Sequence, residues 1–118
     1  MALSNVKIGI TIGDKNGIGP EVILNSLKDN RILSGITPVI YGSEDVLKHY
    51  TSKLAMEGLV IKRISSADKA QAKTINVINV LDEETAVNEG QEEGSSGTLA
   101  IKAIEMASMD ISSGKIDA

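Results

Sequence analysis

The chain of 118 residues has no cysteine, no phenylalanine and no tryptophan, and its aromatic content stops at two tyrosines. Without cysteine, disulfides and thiolate metal sites are excluded. Without large aromatics the core falls to Ile, Val, Leu and Ala, side chains suited to strands and to helices lying flat on a sheet. The stacking platform that single-stranded nucleic acid requires is missing, and a formal net charge of −4 supplies no electrostatic reason to expect such a partner. No apolar run approaches the roughly 18 residues of a membrane span, and the N-terminus lacks the basic-then-apolar order of a secretion signal. The expectation is a cytoplasmic protein with neither nucleic acid nor membrane as partner.

What is present bounds the chain to one domain or less. A polypeptide of this length compacts to a radius of gyration of roughly 13–14 Å and buries about two-thirds of its unfolded surface. Its acidity is local. Asp82, Glu83, Glu84, Glu89, Glu92 and Glu93 fall in one stretch without a Lys or Arg. That stretch reads either as a solvated loop or as an acidic cation site.

Val6–Ile12 alternates apolar with small or polar residues and predicts a first strand. The dense turn Gly13–Pro20 follows, and Pro20 fits the opening of a helix through Leu27, with Val22/Ile23 and Ser26/Leu27 as its buried stripe and Asp29-Asn30 as its end. Thr37–Tyr41 predicts a second strand. Ser43 then caps a helix whose inner face carries Val46, Leu47, Tyr50 and Leu54 and which Gly58 stops. Leu59–Ile64 and Thr74–Leu81 read as the third and fourth strands. Strand and helix in alternation predict an α/β fold with a mostly parallel sheet flanked by helices. The polar, Gly-rich connection from Asp82 to Gly97 is longer than most compact domains use, which marks a functional or mobile loop. A helix begins near Ser96, with Ala100, Ala103/Ile104, Ala107 and Ile111 at helical spacing, Met106 and Met109 as packing residues and Gly114 as its stop. Lys115–Ala118 starts a further strand, so residues 1–118 are expected to be a single incomplete α/β domain of a larger protein.

Chemistry concentrates in the glycine turn. Gly13, Gly17 and Gly19 open the backbone between a strand and a helix N-terminus, where a ligand can approach main-chain N–H groups. The spacing Gly-x-x-x-Gly-x-Gly matches neither a P-loop nor the dinucleotide fingerprint. Asp14 and Glu21 would repel a bare phosphate; Glu21 is explained by the helix dipole, whereas Asp14 has no such structural reason. The carboxyl ends of α/β strands are where such folds bind ligands.

The run Thr11-Ile12-Gly13-Asp14-Lys15-Asn16-Gly17-Ile18-Gly19-Pro20-Glu21 resembles the opening signature of the 4-hydroxythreonine-4-phosphate dehydrogenase family, Thr-x-Gly-Asp-Pro-Ala-Gly-Ile-Gly-Pro-Glu. Gly94-Ser95-Ser96-Gly97 leading into Ala100, Ile104-Glu105 and Ala107, and then Gly114–Ala118, resembles the family's Ser-x-x-Gly-x-x-Ala helix and its Gly-x-x-Asp-Ala segment. Lys15-Asn16 departs from the family's usual Pro-Ala. The resemblance implies part of an isocitrate/isopropylmalate dehydrogenase-like fold, in a homodimer of longer chains. It further implies an enzyme dependent on NAD (or NADP) and a divalent metal such as Zn, Mg or Co, oxidising and decarboxylating 4-phosphooxythreonine in vitamin B6 biosynthesis. The alternatives are a paralogue acting on a threonate or erythronate phosphate, a small phosphorylated hydroxy acid like the first substrate, and a non-catalytic α/β module binding an anion or a partner. Gly13, Asp14, Asn16, Gly17 and Gly19 are the cofactor-binding candidates. Metal ligands and catalytic groups would lie outside this segment, and the isolated chain is expected to be inactive. His49 reads as a surface histidine. Lys48, Lys53, Lys62 and Arg63 either contact a phosphate or remain solvated.

Overall fold

The computed structural model describes residues 6–82 and 84–118; Glu83 of the acidic stretch and residues 1–5 lie outside the described residues. Four strands form one sheet: β1 (Val6–Thr11), β2 (Ile36–Gly42), β3 (Ile61–Arg63) and β4 (Ile75–Asn79). Their spatial order is β1-β2-β4-β3 and every pairing is parallel. The register places Thr11 beside Tyr41 and Gly42 beside Asn79, so the carboxyl ends of the strands share one edge. The expected parallel α/β sheet is therefore present, with a radius of gyration of 13.6 Å.

Alternation along the strands divides the core into two layers. Ile40, Ile75 and Val77 face the helices α1 (Gly19–Leu27), α2 (Asn30–Gly35) and α3 (Glu44–Lys53), packing with Leu24, Leu27, Leu33, Leu47 and Tyr50. Val39, Tyr41 and Ile78 belong to the second cluster, with Ala103 of α4 (Gly94–Ser112) and Ile64, Ala67 and Ile116. Fully buried leucines such as Leu24, Leu47 and Leu99 each contribute roughly 1.5–3 kcal/mol by leaving water. Tyr41 is the one large polar-tipped side chain in the second layer. Its hydroxyl donates to Asp110 Oδ2 at 2.7 Å, and burial first, then that carboxylate, push its pKa up.

Several elements differ from the sequence expectations. In α1 the buried stripe is Pro20, Leu24 and Leu27, while Val22 is 55% exposed. α1 ends at Leu27, as Asp29-Asn30 led one to expect, but Asp29 also starts the unexpected α2, its side chain accepting from Arg31 N at 2.9 Å. Ser43 caps α3 as expected, through Val46 N. That helix stops at Lys53 because Ala55 takes the left-handed conformation at φ 54°, so Gly58 lies beyond the end it was expected to make. In α4 the inward residues are Ser96, Leu99 and Ala103, whereas Ile104 and Ile111 are exposed, as is Met109. Gly114, at φ 78°, follows α4 in its expected role. Beyond it, Asp117 N donates to Lys7 O at 2.9 Å and Gly9 N to Ala118 O at 2.8 Å, which lays the tail alongside β1 in parallel fashion. Among the described residues no helix is long and apolar enough to cross a membrane.

Candidate functional site

The turn after β1 sits at the carboxyl edge of the sheet. Gly13 has φ 72°, a conformation that an L side chain rarely adopts, and nothing lies within 4 Å of where a Cβ would stand. Gly19 allows a close approach, since a Cβ there would lie 3.1 Å from Ile12 O. Between them Asp14 Oδ1 accepts from Asn16 N at 2.9 Å and Asp14 O accepts from Gly17 N at 3.1 Å, an Asx-type turn. α1 starts without a side-chain cap. Asp14 is exposed.

Lys15 and Asn16 turn inward. Lys15 is 2% exposed, and its ammonium donates to Ala86 O at 2.6 Å with Glu93 Oε2 at 3.7 Å. Asn16 is 3% exposed. Its Nδ2 lies 3.2 Å from Gln91 O, 3.2 Å from Glu93 Oε1 and 3.0 Å from Ser96 Oγ, while its Oδ1 accepts from Asn88 N at 2.7 Å. Gly90 N donates to Asn16 O at 2.8 Å. From beneath, the Tyr50 hydroxyl donates to Lys15 O at 2.8 Å, and burial above all raises the Tyr50 pKa. Five predicted site residues thus share one bend. Four of them, Gly13, Asp14, Gly17 and Gly19, form the bend itself; the Asn16 amide is taken up by the segment that follows β4.

Between the turn and the start of α4 lies a cavity of about 200 Å³, bordered by Asp14, Glu92, Glu93, Ser96, Gly97 and Ala100. The sequence reading assigns no site residue to α4, and the signal for Ser96 and Gly97 is the Gly94–Gly97 motif. Glu93 accepts from Asn88 Nδ2 at 2.7 Å, and this bond first, then the charge of Lys15, holds its carboxyl below the ordinary value. On the outer flank, Lys53 Nζ is 2.9 Å from Glu21 Oε1 and also pairs with Glu89, whose Oε2 meets His49 Nε2 at 2.9 Å. The bonds from Lys53 and His49 lower the Glu89 pKa and those from Glu89 and Glu21 raise that of Lys53. His49 is thus a partly exposed member of a hydrogen-bonded chain through Glu89 to Lys53 and Glu21.

The other cations are apart from the turn. Lys48 pairs with Glu44 one helical turn away at 3.7 Å. Lys62 and Arg63 border a cleft of about 600 Å³ at the ends of β3 and β4, with Lys69 and Asp82. Among the described residues no group of three His, Asp or Glu side chains is placed to hold a metal ion.

The parallel sheet with its helices and glycine-opened edge defines part of an isocitrate/isopropylmalate dehydrogenase-like α/β fold. No protein-family model matches the chain. Over 117 residues it is 33% identical to the 4-hydroxythreonine-4-phosphate dehydrogenase of Bacteroides thetaiotaomicron, covering 99% of this chain and 32% of that one. It is 31% identical to the D-threonate 4-phosphate dehydrogenase of Pectobacterium atrosepticum, over 94% of this chain and 35% of the relative. The crystal structure of the 4-hydroxythreonine-4-phosphate dehydrogenase from Burkholderia phymatum superposes with a TM-score of 0.84 at 28% identity, covering 97% of this chain and 35% of that chain. Over nearly its whole length the chain is therefore similar to the N-terminal part of 4-hydroxythreonine-4-phosphate dehydrogenases. It spans about a third of the length of the relatives it matches.

Proposed function

We propose that this chain forms one wall of the ligand cleft of an NAD-dependent dehydrogenase that oxidises and decarboxylates 4-hydroxythreonine 4-phosphate, a step of vitamin B6 biosynthesis. The observation that carries the reading is the open turn at the carboxyl end of β1, where Gly13 leaves the backbone uncovered beside the cavity that reaches the start of α4. Gly13, Gly17 and Gly19 give the main chain room against the cofactor or substrate. Asp14 supplies an acceptor for hydroxyl or amide groups on the ligand. Asn16 acts from behind, through the segment that its side chain holds. The nicotinamide, when bound, accepts the hydride. The divalent metal, the residues that bind it and the groups that move protons belong to other parts of the longer protein, which functions as a cytoplasmic homodimer. Residues 1–118 are one incomplete domain of that protein and are inactive alone.

A close second reading is oxidation of D-threonate 4-phosphate, which the similarity to the Pectobacterium protein supports. Both substrates are phosphorylated hydroxy acids, so the role of the turn is common to the two.

The test is steady-state turnover of the full-length protein carrying Asp14→Ala, followed by nicotinamide reduction with each substrate in turn. The expected outcome is a normal thermal melt with turnover lowered about tenfold or more, the scale of one lost transition-state hydrogen bond. Unchanged kinetics on both substrates would remove Asp14 from the site.

A further inference from the structure

The segment 84–93 has no helix or strand of its own, yet it is the rim of the cavity beside the glycine turn. Little apolar surface holds it, since Val87 is its one side chain packed against the core and is only partly buried. Polar contacts must fix it, and two adjacent residues of the turn supply most of them. Among the described residues Lys15 is the one Lys, Arg, Asp or Glu that is buried, and an ammonium so enclosed is tolerated only when paired and hydrogen-bonded. Both of its partners, Ala86 O and Glu93, lie on or at the end of the segment. Asn16 is bonded in both senses: its side chain reaches Gln91 O and Glu93 and receives Asn88 N, and its carbonyl receives Gly90 N. A third bond ties the same Asn16 amide to Ser96 of α4, so turn, segment and helix meet on one side chain. Lys15 is also the turn's only cation, and its charge is spent inside this contact.

We infer that Lys15 and Asn16 are positioning residues: they clasp the 84–93 segment onto the glycine turn, fixing the cleft rim and withholding the turn's single cation from any phosphate on the ligand. The inference rests on the dehydrogenase reading for its ligand, but the clasp itself does not. The rim is then set by residues that never touch the ligand. The phosphate of the substrate binds elsewhere, because the exposed groups at this wall, Asp14 and Glu92, are acids.

Three variants of the full-length protein test it: Lys15→Met, Asn16→Ala and, from the segment's side, Glu93→Gln. Backbone amide hydrogen exchange is read over residues 84–93 and over β2 and β4, and kcat and KM are read separately. The expected result for Lys15→Met and Asn16→Ala is exchange at least tenfold faster over 84–93 with β2 and β4 still protected, KM raised fivefold or more and kcat within twofold. Glu93→Gln gives the same pattern at smaller size. Unchanged exchange over 84–93 in all three would overturn the clasp. A collapse of kcat at constant KM in Lys15→Met would overturn the positioning role by placing Lys15 at the reacting groups. Should the unaltered protein turn over neither substrate, the dehydrogenase reading fails and the exchange measurement decides the clasp alone.

Discussion

A charged side chain at 2% exposure is the least expected residue of this protein, and its neighbours explain it. Lys15 sits in a turn dense with Gly, where a surface position is the natural reading, but its partners are about 70 residues away in the chain. Long separation also hides Asn16, whose amide serves the segment after β4, and His49, whose Glu89 partner is 40 residues on. Gly13, by contrast, is legible, because a positive φ has a local cause and a local residue preference. What the sequence conveys about this site is therefore its backbone, and what it conceals is which side chains turn in. The carboxyls of Glu89 and Glu93 make a pH prediction at this scale. Both are held below their ordinary value of 4.5, so their contribution is present above that value and is lost as pH falls through the lower folded-state value. Limited proteolysis at 84–93 should accelerate as pH drops below about 4.5, ahead of global unfolding measured by circular dichroism. Cleavage that tracks global unfolding throughout would contradict this.

At the level of elements, periodicity identified the four strands and three of the helices but not always the buried face. In α1 the expected stripe Val22/Ile23 and Ser26/Leu27 holds at Leu27 and in part at Ile23, while a rotation of about one residue brings in Pro20 and Leu24 and turns Val22 out, which the contacts with α2 and α3 decide. α2 is short and its start looks like a stop, since Asp serves equally as helix cap and turn former. In α4, Ile104 and Ile111 are larger and more apolar than Ala103 and Asp110, yet the sheet takes the small residue and the acid, because Tyr41 needs an acceptor. This orientation has a direct consequence. Leu99→Ala should destabilise the fold by roughly 2–5 kcal/mol, the range for an enclosed leucine, whereas Ile104→Ala should stay within about 0.5 kcal/mol. Denaturant melts of the two variants check it, and equal losses would mean that the inner face of α4 is misassigned.

Seen whole, the molecule leaves Ile101, Ile104, Met109 and Ile111 of α4 uncovered, and Val22 and Ile18 beside the turn. Apolar side chains spaced along one helix seek cover. The isolated 118-residue polypeptide should therefore associate with increasing concentration, which sedimentation velocity would show as a rising mean sedimentation coefficient. A single monomeric boundary across the range would contradict the incomplete-domain reading. The parallel order β1-β2-β4-β3 gathers the turn, the cap of α3 and the segment after β4 at one edge, which is where open α/β sheets take ligands. Whether the bend from Gly13 to Pro20 lines that cleft is answered most directly by a crystal structure of the full-length protein with NAD and a substrate bound. The account predicts cofactor or substrate atoms within about 3.5 Å of the Gly13–Gly19 backbone or the Asp14 carboxylate. Ligands bound at another edge, or a bend roofed over by its own neighbours, would contradict it.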